Sequence, residues 1–249
     1  SSIFLNNSSL SFLCICRYEA TITSYFSLSS QKFKSIQVVF ISSFSLIALF
    51  LSFSSPKFEA SIALTSKPHY TKKIDDLYNA YAFAKSSELN PKKISEAHKL
   101  LSKHIVAKNW QGKFRNHNMY VTTPDGRIEY VAASPNEVEA EMEKFHNDIE
   151  ILLKTKLSIE EVFFFASLIH LVFVKIHPWN DGNGRTARLL EKWFLAQKLG
   201  NKAWFIQSEK MYYNQHNNYY KNIRLLGLEY PDLDYKQSLS FLLMLPTSL

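Results

Sequence analysis

Cysteine is almost absent from this sequence. The 249 residues contain two, Cys14 and Cys16, so the chain has neither a disulfide framework nor the spaced cysteine pairs of a structural zinc site. A reducing compartment fits such a chain, and we expect a cytoplasmic protein. A large excess of one charge is also missing. The net charge of +7 favours phosphate-bearing or acidic ligands and gives no reason to expect nucleic-acid binding.

Glycine, proline and aspartate are missing from the first 54 residues, which are rich in Ser and Phe and contain one glutamate, Glu19. Residues 36–53 form an apolar run at the lower edge of the length of a membrane span, although Gln37 and several serines interrupt it. A hydrophobic anchor or signal segment, a buried helix and a stretch that is not native coding all stay open. We therefore place the functional domain at residues 55–249, and expect membrane association only if residues 36–53 are a real anchor.

Internal repeats are lacking too, and most of residues 55–249 has the 3.6-residue periodicity of helices. Between residues 119 and 132 the period changes to two around a Pro-Asp-Gly-Arg turn, which predicts a β-hairpin. The fold class is thus mainly α, a helical bundle with one hairpin. Helices are expected at about residues 73–85, from 91 onward, and at 135–153, 159–176, 184–200, 209–225 and 235–244.

The predicted helix at residues 159–176 is apolar on nearly every side, so it should run through the core. Ser158 and Glu161 form a capping box at its start. Pro178 ends the helix, and His177 is thereby left at its C-terminal end.

Two glycines, Gly182 and Gly184, flank Asn183 immediately before the next predicted helix. Glycine at such a place lets backbone N–H groups approach a ligand, and a helix N-terminus attracts anions. Arg185 and Arg188 follow on one face of the first turns of that helix. Cations are unfavourable there because they oppose the helix dipole, and a bound anion would offset this repulsion. The pattern indicates a polyphosphate site, because guanidinium groups bind phosphate oxygens in a fork.

Two further side chains complete the candidate site. Asp181 offers one carboxylate beside the phosphates, which is how Mg²⁺ is usually held. His177, fixed at a helix end, is suited to act as general base for a hydroxyl. Each residue taken singly has an ordinary structural explanation, since a histidine at a helix end is commonly a cap and surface arginines are usually solvated. The joint pattern is what points to chemistry.

Residues 177–188, His-Pro-Trp-Asn-Asp-Gly-Asn-Gly-Arg-Thr-Ala-Arg, resemble the signature of the Fic domain family, HPFx(D/E)GNGRxxR. Only Trp179 departs, standing where Phe is usual at an inward-facing hydrophobic anchor. The resemblance covers roughly residues 55–249. It implies a Fic-type helical bundle with a hairpin flap, and a protein adenylyltransferase that moves AMP from ATP, with Mg²⁺, onto a Ser, Thr or Tyr hydroxyl of a target protein.

The resemblance also assigns a role to each position of the motif. His177 would be the general base and Asp181 the Mg²⁺ ligand. Arg185 would bind the β-phosphate and Arg188 the γ-phosphate, while the Asn183 side chain would contribute to the anion site. The rest of that site would be made by backbone N–H groups around Gly182, Asn183 and Gly184.

Two segments outside the motif receive roles from the same resemblance. The hairpin falls where the family has its flap, so Val121, Ile128 and Tyr130 would hold an extended target segment; a plain surface hairpin is the alternative. Residues 55–60, Ser-Pro-Lys-Phe-Glu-Ala, are similar to the inhibitory pattern (S/T)xxxE(G/N), with Ala in the last place. In a helix near residues 55–65, Glu59 would pair with the second arginine of the motif and hold ATP unproductively. An acid in a first helical turn is favourable anyway, so the ordinary explanation stays open.

Several other functions stay open from the sequence. Transfer of UMP, GMP or phosphocholine, removal of AMP with Glu59, and a Doc-like kinase are variants within the superfamily. The kinase ranks low, because that subgroup lacks the small residues found here at Gly182 and Gly184. A nucleotide-responsive binding module without turnover is the alternative from another class. Tyr219 and Tyr220 are candidates for a nucleotide-base pocket, a homo-oligomer is compatible with the sequence, and the target protein is not identified by it.

Overall fold

The computed structural model describes residues 68–123 and 125–249. The apolar segment at residues 36–53 and the predicted inhibitory helix near residues 55–65, with Glu59, therefore lie outside the described residues. Within the described ranges, no helix is both long enough and apolar enough to cross a membrane.

The described part is mainly helical, with one small antiparallel sheet, as the sequence predicts. The two strands are β1 (Tyr120–Thr122) and β2 (Ile128–Val131). Short 3-10 turns occupy Lys108–Trp110, Asn201–Phe205, Tyr230–Asp232, Tyr235–Gln237 and Leu245–Ser248. The helices are α1 (Pro68–Lys85), α2 (Pro91–Leu101), α3 (Val138–Lys154), α4 (Ile159–Ile176), α5 (Asn183–Leu199), α6 (Ser208–Asn214), α7 (His216–Arg224) and α8 (Leu239–Leu242).

Two predicted helices are shorter than expected. The helix expected at residues 209–225 is divided into α6 and α7 at Gln215, whose φ of −106° and ψ of 31° are not helical. The surrounding Asn, Gln and His side chains compete with the backbone for hydrogen bonds, which weakens helices. The helix expected at residues 235–244 is a 3-10 turn followed by α8, because Asp234 caps the turn by accepting from the Lys236 N–H.

Helix α4 forms the centre of the core. Every residue from 166 to 176 is buried, and α4 packs most extensively against α5, with α3 and α8 on other sides. The predicted capping box is confirmed: the Ser158 hydroxyl accepts from the Glu161 N–H, and the Glu161 carboxylate accepts from the Ser158 N–H. A helix buried on all sides holds its last residues rigidly, which matters because His177 follows directly.

The hairpin contains an irregularity that changes which side chains face the core. Val121 pairs with Tyr130 and Thr122 pairs with Ile128, so Glu129 is an extra residue between them. Such a bulge interrupts the alternation of a strand, and both Glu129 and Tyr130 are buried as a result. The Glu129 carboxylate lies 3.1 Å from Arg224 of α7, which ties the hairpin to the helical body.

Candidate active site

His177 ends helix α4 in a left-handed backbone conformation. Its φ is 53° and its ψ is 58°, and within the described ranges no other non-glycine residue has a positive φ. Pro178 follows and has no N–H, so the carbonyl of Val174, four residues before the proline, lacks a helical donor. The His177 ring takes the place of that donor, with Nδ1 3.2 Å from the Val174 oxygen.

This contact sets the tautomer of His177. A carbonyl oxygen only accepts, so its bond with Nδ1 requires the ring proton there and leaves the lone pair on Nε2. The Tyr130 hydroxyl lies 3.2 Å from the same Nδ1 atom. Burial lowers the pKa of His177 to about 4, and the nearby Arg115 cation acts in the same direction, so the ring is neutral at neutral pH. A neutral imidazole with Nε2 available can accept a proton from a hydroxyl.

The loop after His177 is held by a reciprocal pair of hydrogen bonds. The Asn183 side chain accepts from the Trp179 N–H at 2.9 Å and donates to the Trp179 carbonyl at 2.8 Å. Trp179 is buried, as expected for an inward-facing anchor, and stacks on His98 with ring centroids 4.3 Å apart. The Asn183 side chain thus holds the loop backbone, and its predicted contribution to the anion site stays a prediction.

Gly182 is required by both its backbone and its surroundings. Its φ is +84°, and an added Cβ would lie 3.0 Å from Leu101 Cδ1 and 3.3 Å from His98 Nε2. Helix α2 can therefore approach the loop only where a side chain is missing.

Helix α5 begins with three backbone N–H groups that donate to no described residue, those of Asn183, Gly184 and Arg185. The first bond of the helix runs from the Thr186 N–H to the Gly182 carbonyl at 2.9 Å. Three N–H groups at a helix N-terminus are suited to binding an anion, and the helix dipole adds to this attraction.

The absence of a side chain at Gly184 has a different physical explanation from its absence at Gly182. Its φ is not positive, and the nearest described atom to an added Cβ would be Arg188 Nη1, at an ordinary contact distance of 3.5 Å. The protein itself therefore tolerates a side chain there. Its absence leaves room between the loop and Arg188 for a ligand.

Asp181 has the donor chemistry for a magnesium ion. One carboxylate oxygen accepts from the Gly182 N–H and lies 3.5 Å from Arg185, while the other hydrogen-bonds to no described residue. The side chain is 59% exposed, so that second oxygen is accessible. Among the residues that the structure describes, no three His, Cys, Asp or Glu residues cluster as a metal site. A single carboxylate fits Mg²⁺ if phosphate oxygens and waters supply the other ligands.

A cavity of about 350 Å³ opens beside the start of α5. Arg188 forms part of its wall and makes no ion pair with any described residue. Glu209 also lines the cavity, but its carboxylate accepts from the Tyr81 hydroxyl and from Lys192, so its charge is already matched. Among the described residues, none competes with an anionic ligand for Arg188. Aromatic rings form much of the remaining wall, and a planar ligand could stack on them: Tyr81, Tyr212, Tyr213, His216, Tyr219 and Tyr220.

A buried polar network supports two of these tyrosines from behind. The Glu191 carboxylate accepts from the Tyr212 hydroxyl at 2.7 Å and contacts His170 Nδ1 at 2.8 Å. His170 Nε2 lies 3.0 Å from the Tyr219 hydroxyl. Burial raises the pKa of both tyrosines, so their hydroxyls stay protonated. Tyr219 and Tyr220, the sequence candidates for a base pocket, both border the cavity.

The hairpin residues differ in what they can contact. Tyr130 is buried and turned toward His177, so the prediction that it contacts a target is wrong. The bulge at Glu129 is the cause, since it reverses the face that the strand alternation assigns. Val121 packs partly against the core, whereas Ile128 is 41% exposed and Tyr120 is 59% exposed.

Sequence reasoning missed His98, which contacts the loop from helix α2. Its Nε2 lies 2.9 Å from the Asp181 carbonyl, and its Nδ1 accepts from the Gly112 N–H at 2.9 Å. One signal was available: His98 lies on the apolar stripe of its helix, between Ile94 and Leu101, where a buried polar residue needs defined partners.

Comparisons with known proteins agree with this geometry. Residues 88–195 match the family described as the Fic/DOC family. A protein adenylyltransferase Fic of Nematostella vectensis is 32% identical over 112 residues, which is 45% of this chain and 24% of that protein. The chain thus spans about a quarter of the length of this curated relative.

Solved structures share the fold. A Fic family protein from Desulfovibrio desulfuricans superposes with a TM-score of 0.61 at 17% identity, covering 74% of this chain and 52% of that one. A Fic domain containing signaling protein from Bacteroides thetaiotaomicron gives a TM-score of 0.54 at 24% identity, covering 72% of this chain and 69% of that one.

Proposed function

Because the chain carries a Fic/DOC family domain over residues 88–195, we propose that it is a protein adenylyltransferase that moves AMP from ATP onto a hydroxyl of a target protein. The observation that carries the proposal is the pairing of two features in one loop. His177 is a neutral base with Nε2 available. The start of α5, two residues after Asp181, carries three N–H groups that donate to no described residue, and Arg188 makes no ion pair with any described residue.

The transfer would proceed as a displacement at the α-phosphorus of ATP. His177 Nε2 would take the proton of the target hydroxyl, whose oxygen would form the new bond to the α-phosphorus. The bond from that phosphorus to the oxygen bridging to the β-phosphate would break, and pyrophosphate would leave. Fixed donors at the start of α5, with Arg185 and Arg188, would stabilise the charge on the phosphates without reorganisation. Mg²⁺ held by Asp181 would supply further charge neutralisation when bound.

The target would be a protein with an accessible hydroxyl side chain, presented by the hairpin. Ile128 and Tyr120 are the exposed apolar side chains there. At the end of β2 the Val131 N–H donates to the Leu228 carbonyl at 2.9 Å, so this part of the outer edge of β2 is already covered. We therefore expect an extended target segment to align with the outer edge of β1.

Labelled nucleotides test the proposal. The protein is incubated with Mg²⁺ and a host lysate, and with ATP labelled at either the α- or the γ-phosphate. Label on protein from the α position alone supports AMP transfer, whereas label from the γ position identifies a kinase. His177→Ala should lower the transfer rate by roughly 10²- to 10⁴-fold while ATP binding persists. ATP binding without label from either position would favour the binding module.

We also propose that Glu59 restrains this activity, on the resemblance of residues 55–60 to the inhibitory pattern. Glu59→Gly should raise self-modification with α-labelled ATP, because it would free Arg188 for the γ-phosphate. Lys57→Ala, in the same segment, is the control and should leave the activity unchanged. Equal labelling in Glu59→Gly and the unmodified chain would contradict the restraint without bearing on the transfer itself.

A further inference from the structure

Arg115 is a buried arginine with no carboxylate partner among the described residues. Its side chain is 2% exposed, and it donates only to backbone carbonyls. Nε donates to the His177 oxygen at 2.7 Å and Nη1 to the His117 oxygen at 2.7 Å. Nη2 donates to the Ala133 oxygen at 2.5 Å and to the Ile176 oxygen at 3.2 Å.

The site in which this cation lies explains how it is tolerated. Burial of an unpaired charge is costly unless fixed dipoles replace its hydration. Ile176 and His177 provide carbonyls at the C-terminal end of α4, where the helix dipole also favours a cation. Burial nevertheless lowers the pKa of Arg115 from its usual value. An apolar side chain would avoid this cost but could donate to none of these carbonyls. What the donors of Arg115 hold together is therefore the feature to explain.

The four carbonyls belong to three separate segments. Ile176 and His177 form the turn that carries the proposed base. His117 precedes strand β1 and Ala133 follows strand β2, so they are the two stems of the hairpin. The Arg115 N–H adds a fifth bond, to the Pro178 oxygen at 2.9 Å. One planar guanidinium therefore joins both stems of the hairpin to the turn at His177.

His177 needs such restraint because of its backbone. A left-handed conformation is unfavourable for a residue with a side chain, and it persists where the surroundings over-determine it. Arg115 donates hydrogen bonds to the carbonyls of three consecutive residues, Ile176, His177 and Pro178. It thereby restrains the backbone before and after His177. The direction of the imidazole follows from this backbone.

We propose that Arg115 is a positioning residue, which fixes the turn at His177 and both stems of the hairpin in one geometry so that a target held by the hairpin meets the base. Its kinetic consequence rests on the proposed transfer reaction. The phosphate-binding loop is held by different contacts, from His98 and Asn183. Arg115 should therefore affect transfer much more than ATP binding.

Two substitutions separate charge from geometry. Arg115→Gln removes the cation and most of the donors, whereas Arg115→Lys keeps the charge but has one nitrogen, which cannot reach carbonyls on three segments. In both, kcat for AMP transfer should fall on the order of 100-fold, as expected when reacting groups move by about 1 Å. The Kd for ATP should change by less than about threefold, since such a change is under 1 kcal/mol. Lys113→Gln, at an exposed lysine outside the hairpin, controls for the loss of a positive charge and should behave like the parent chain.

The ring of His177 supplies a readout that does not depend on activity. In ¹⁵N spectra the parent chain should show a neutral imidazole protonated at Nδ1. Arg115→Gln should raise the pKa of His177, because a nearby cation is lost, and Arg115→Lys should alter the tautomer ratio with a smaller change in pKa. If Arg115→Gln does not fold, the comparison of Arg115→Lys with the Lys113→Gln control tests the proposal.

The outcomes are distinct for the two proposals. A parent chain without transfer overturns the proposed function, while the spectra still test whether Arg115 orients the ring. Parental kcat and parental spectra in Arg115→Lys overturn the positioning role. A weaker Kd for ATP that matches the fall in kcat also overturns it, since the arginine would then act on the phosphate loop.

Discussion

His98 and Asp181 are 83 residues apart in the chain, yet the His98 ring bonds to the Asp181 backbone carbonyl across 2.9 Å. Because Nδ1 of His98 accepts from the Gly112 N–H, its proton is on Nε2 and donates to that carbonyl. Burial lowers the pKa of His98 to about 4, so the neutral form persists. Helix α2 thus fixes the backbone just before the proposed phosphate-binding turn.

We expect His98→Leu to weaken ATP binding by roughly tenfold, because the Asp181 carbonyl would lose its donor, at a cost on the order of 1–3 kcal/mol. The stack on Trp179 is lost as well, so the loop should shift. Titration with ATP measures the effect. His146→Leu is the control, since His146 is a half-buried histidine whose pKa is also lowered to about 4 but which does not contact the loop. Equal affinities in the two variants would contradict the role of His98.

The two glycines of the loop should respond in opposite ways to alanine. Gly184→Ala should raise the melting temperature, because alanine stabilises a helix by about 1 kcal/mol over glycine and meets no described atom closer than 3.5 Å. The same methyl group should weaken ATP binding by occupying the ligand space. Gly182→Ala should destabilise the fold by roughly 1–2 kcal/mol, given its φ of +84°. Thermal melts and ATP titrations test both variants. Normal ATP binding by Gly184→Ala would contradict the proposed position of the anion site at the start of α5.

The parts of this fold that follow local rules could be predicted from the sequence. The capping box at Ser158, the core position of α4 and the end of that helix before Pro178 depend on residues close together in the chain. The hairpin depends on its turn sequence and strand alternation. The spacing of the motif fixes most of the site in the same way, because its residues share one helix end and one helix start.

The parts that failed depend on contacts distant in sequence or on a single irregular residue. Tyr130 was expected to face outward with Ile128, and the bulge at Glu129 reverses that face without a sequence signal. The hydrogen bonds by which the Asn183 amide holds the Trp179 backbone were not foreseen, because the sequence does not show that the loop folds back on itself. Arg115 could not be found from the sequence, since its partners come from three separate segments.

The rate of transfer should not show the decline near pH 6.5 that protonation of a histidine base usually causes. Because the pKa of His177 is about 4, the proposed base stays neutral as the pH falls from 8 to about 5.5, and kcat should not decline for lack of base. Stability behaves differently. Unfolded His177 has its ordinary pKa of 6.5, so below that value the unfolded state binds more protons, and stability is lost as the pH falls from 6.5 toward 4.

Rates and melting temperatures measured on the same samples separate the two effects. A decline of kcat centred near pH 6.5, with the melting temperature unchanged, would contradict the assignment of a buried, neutral His177.

Lys175 is buried two residues before His177 and has no carboxylate partner among the described residues. Its ammonium group donates to the Gly227 carbonyl at 3.0 Å and lies 4.7 Å from the centre of the Tyr130 ring. Burial lowers its pKa from 10.5 to about 8. Between these two values the unfolded chain binds the proton more strongly than the folded chain, so this lysine makes stability rise as the pH increases.

Lys175→Met removes the titrating group with little change in volume. Below pH 8 the substitution relieves the cost of the buried charge, so the stability of the variant relative to the parent should be highest there. That difference should shrink as the pH rises toward 10.5, by about 3 kcal/mol in total for a pKa lowered from 10.5 to about 8. Urea unfolding between pH 7 and about 9.5 covers most of this change. Lys221→Met, an exposed lysine on α7, controls for the change in net charge. If the free energies of unfolding of Lys175→Met and the parent stay parallel over this range, Lys175 carries no buried charge and its contact with Gly227 has another origin.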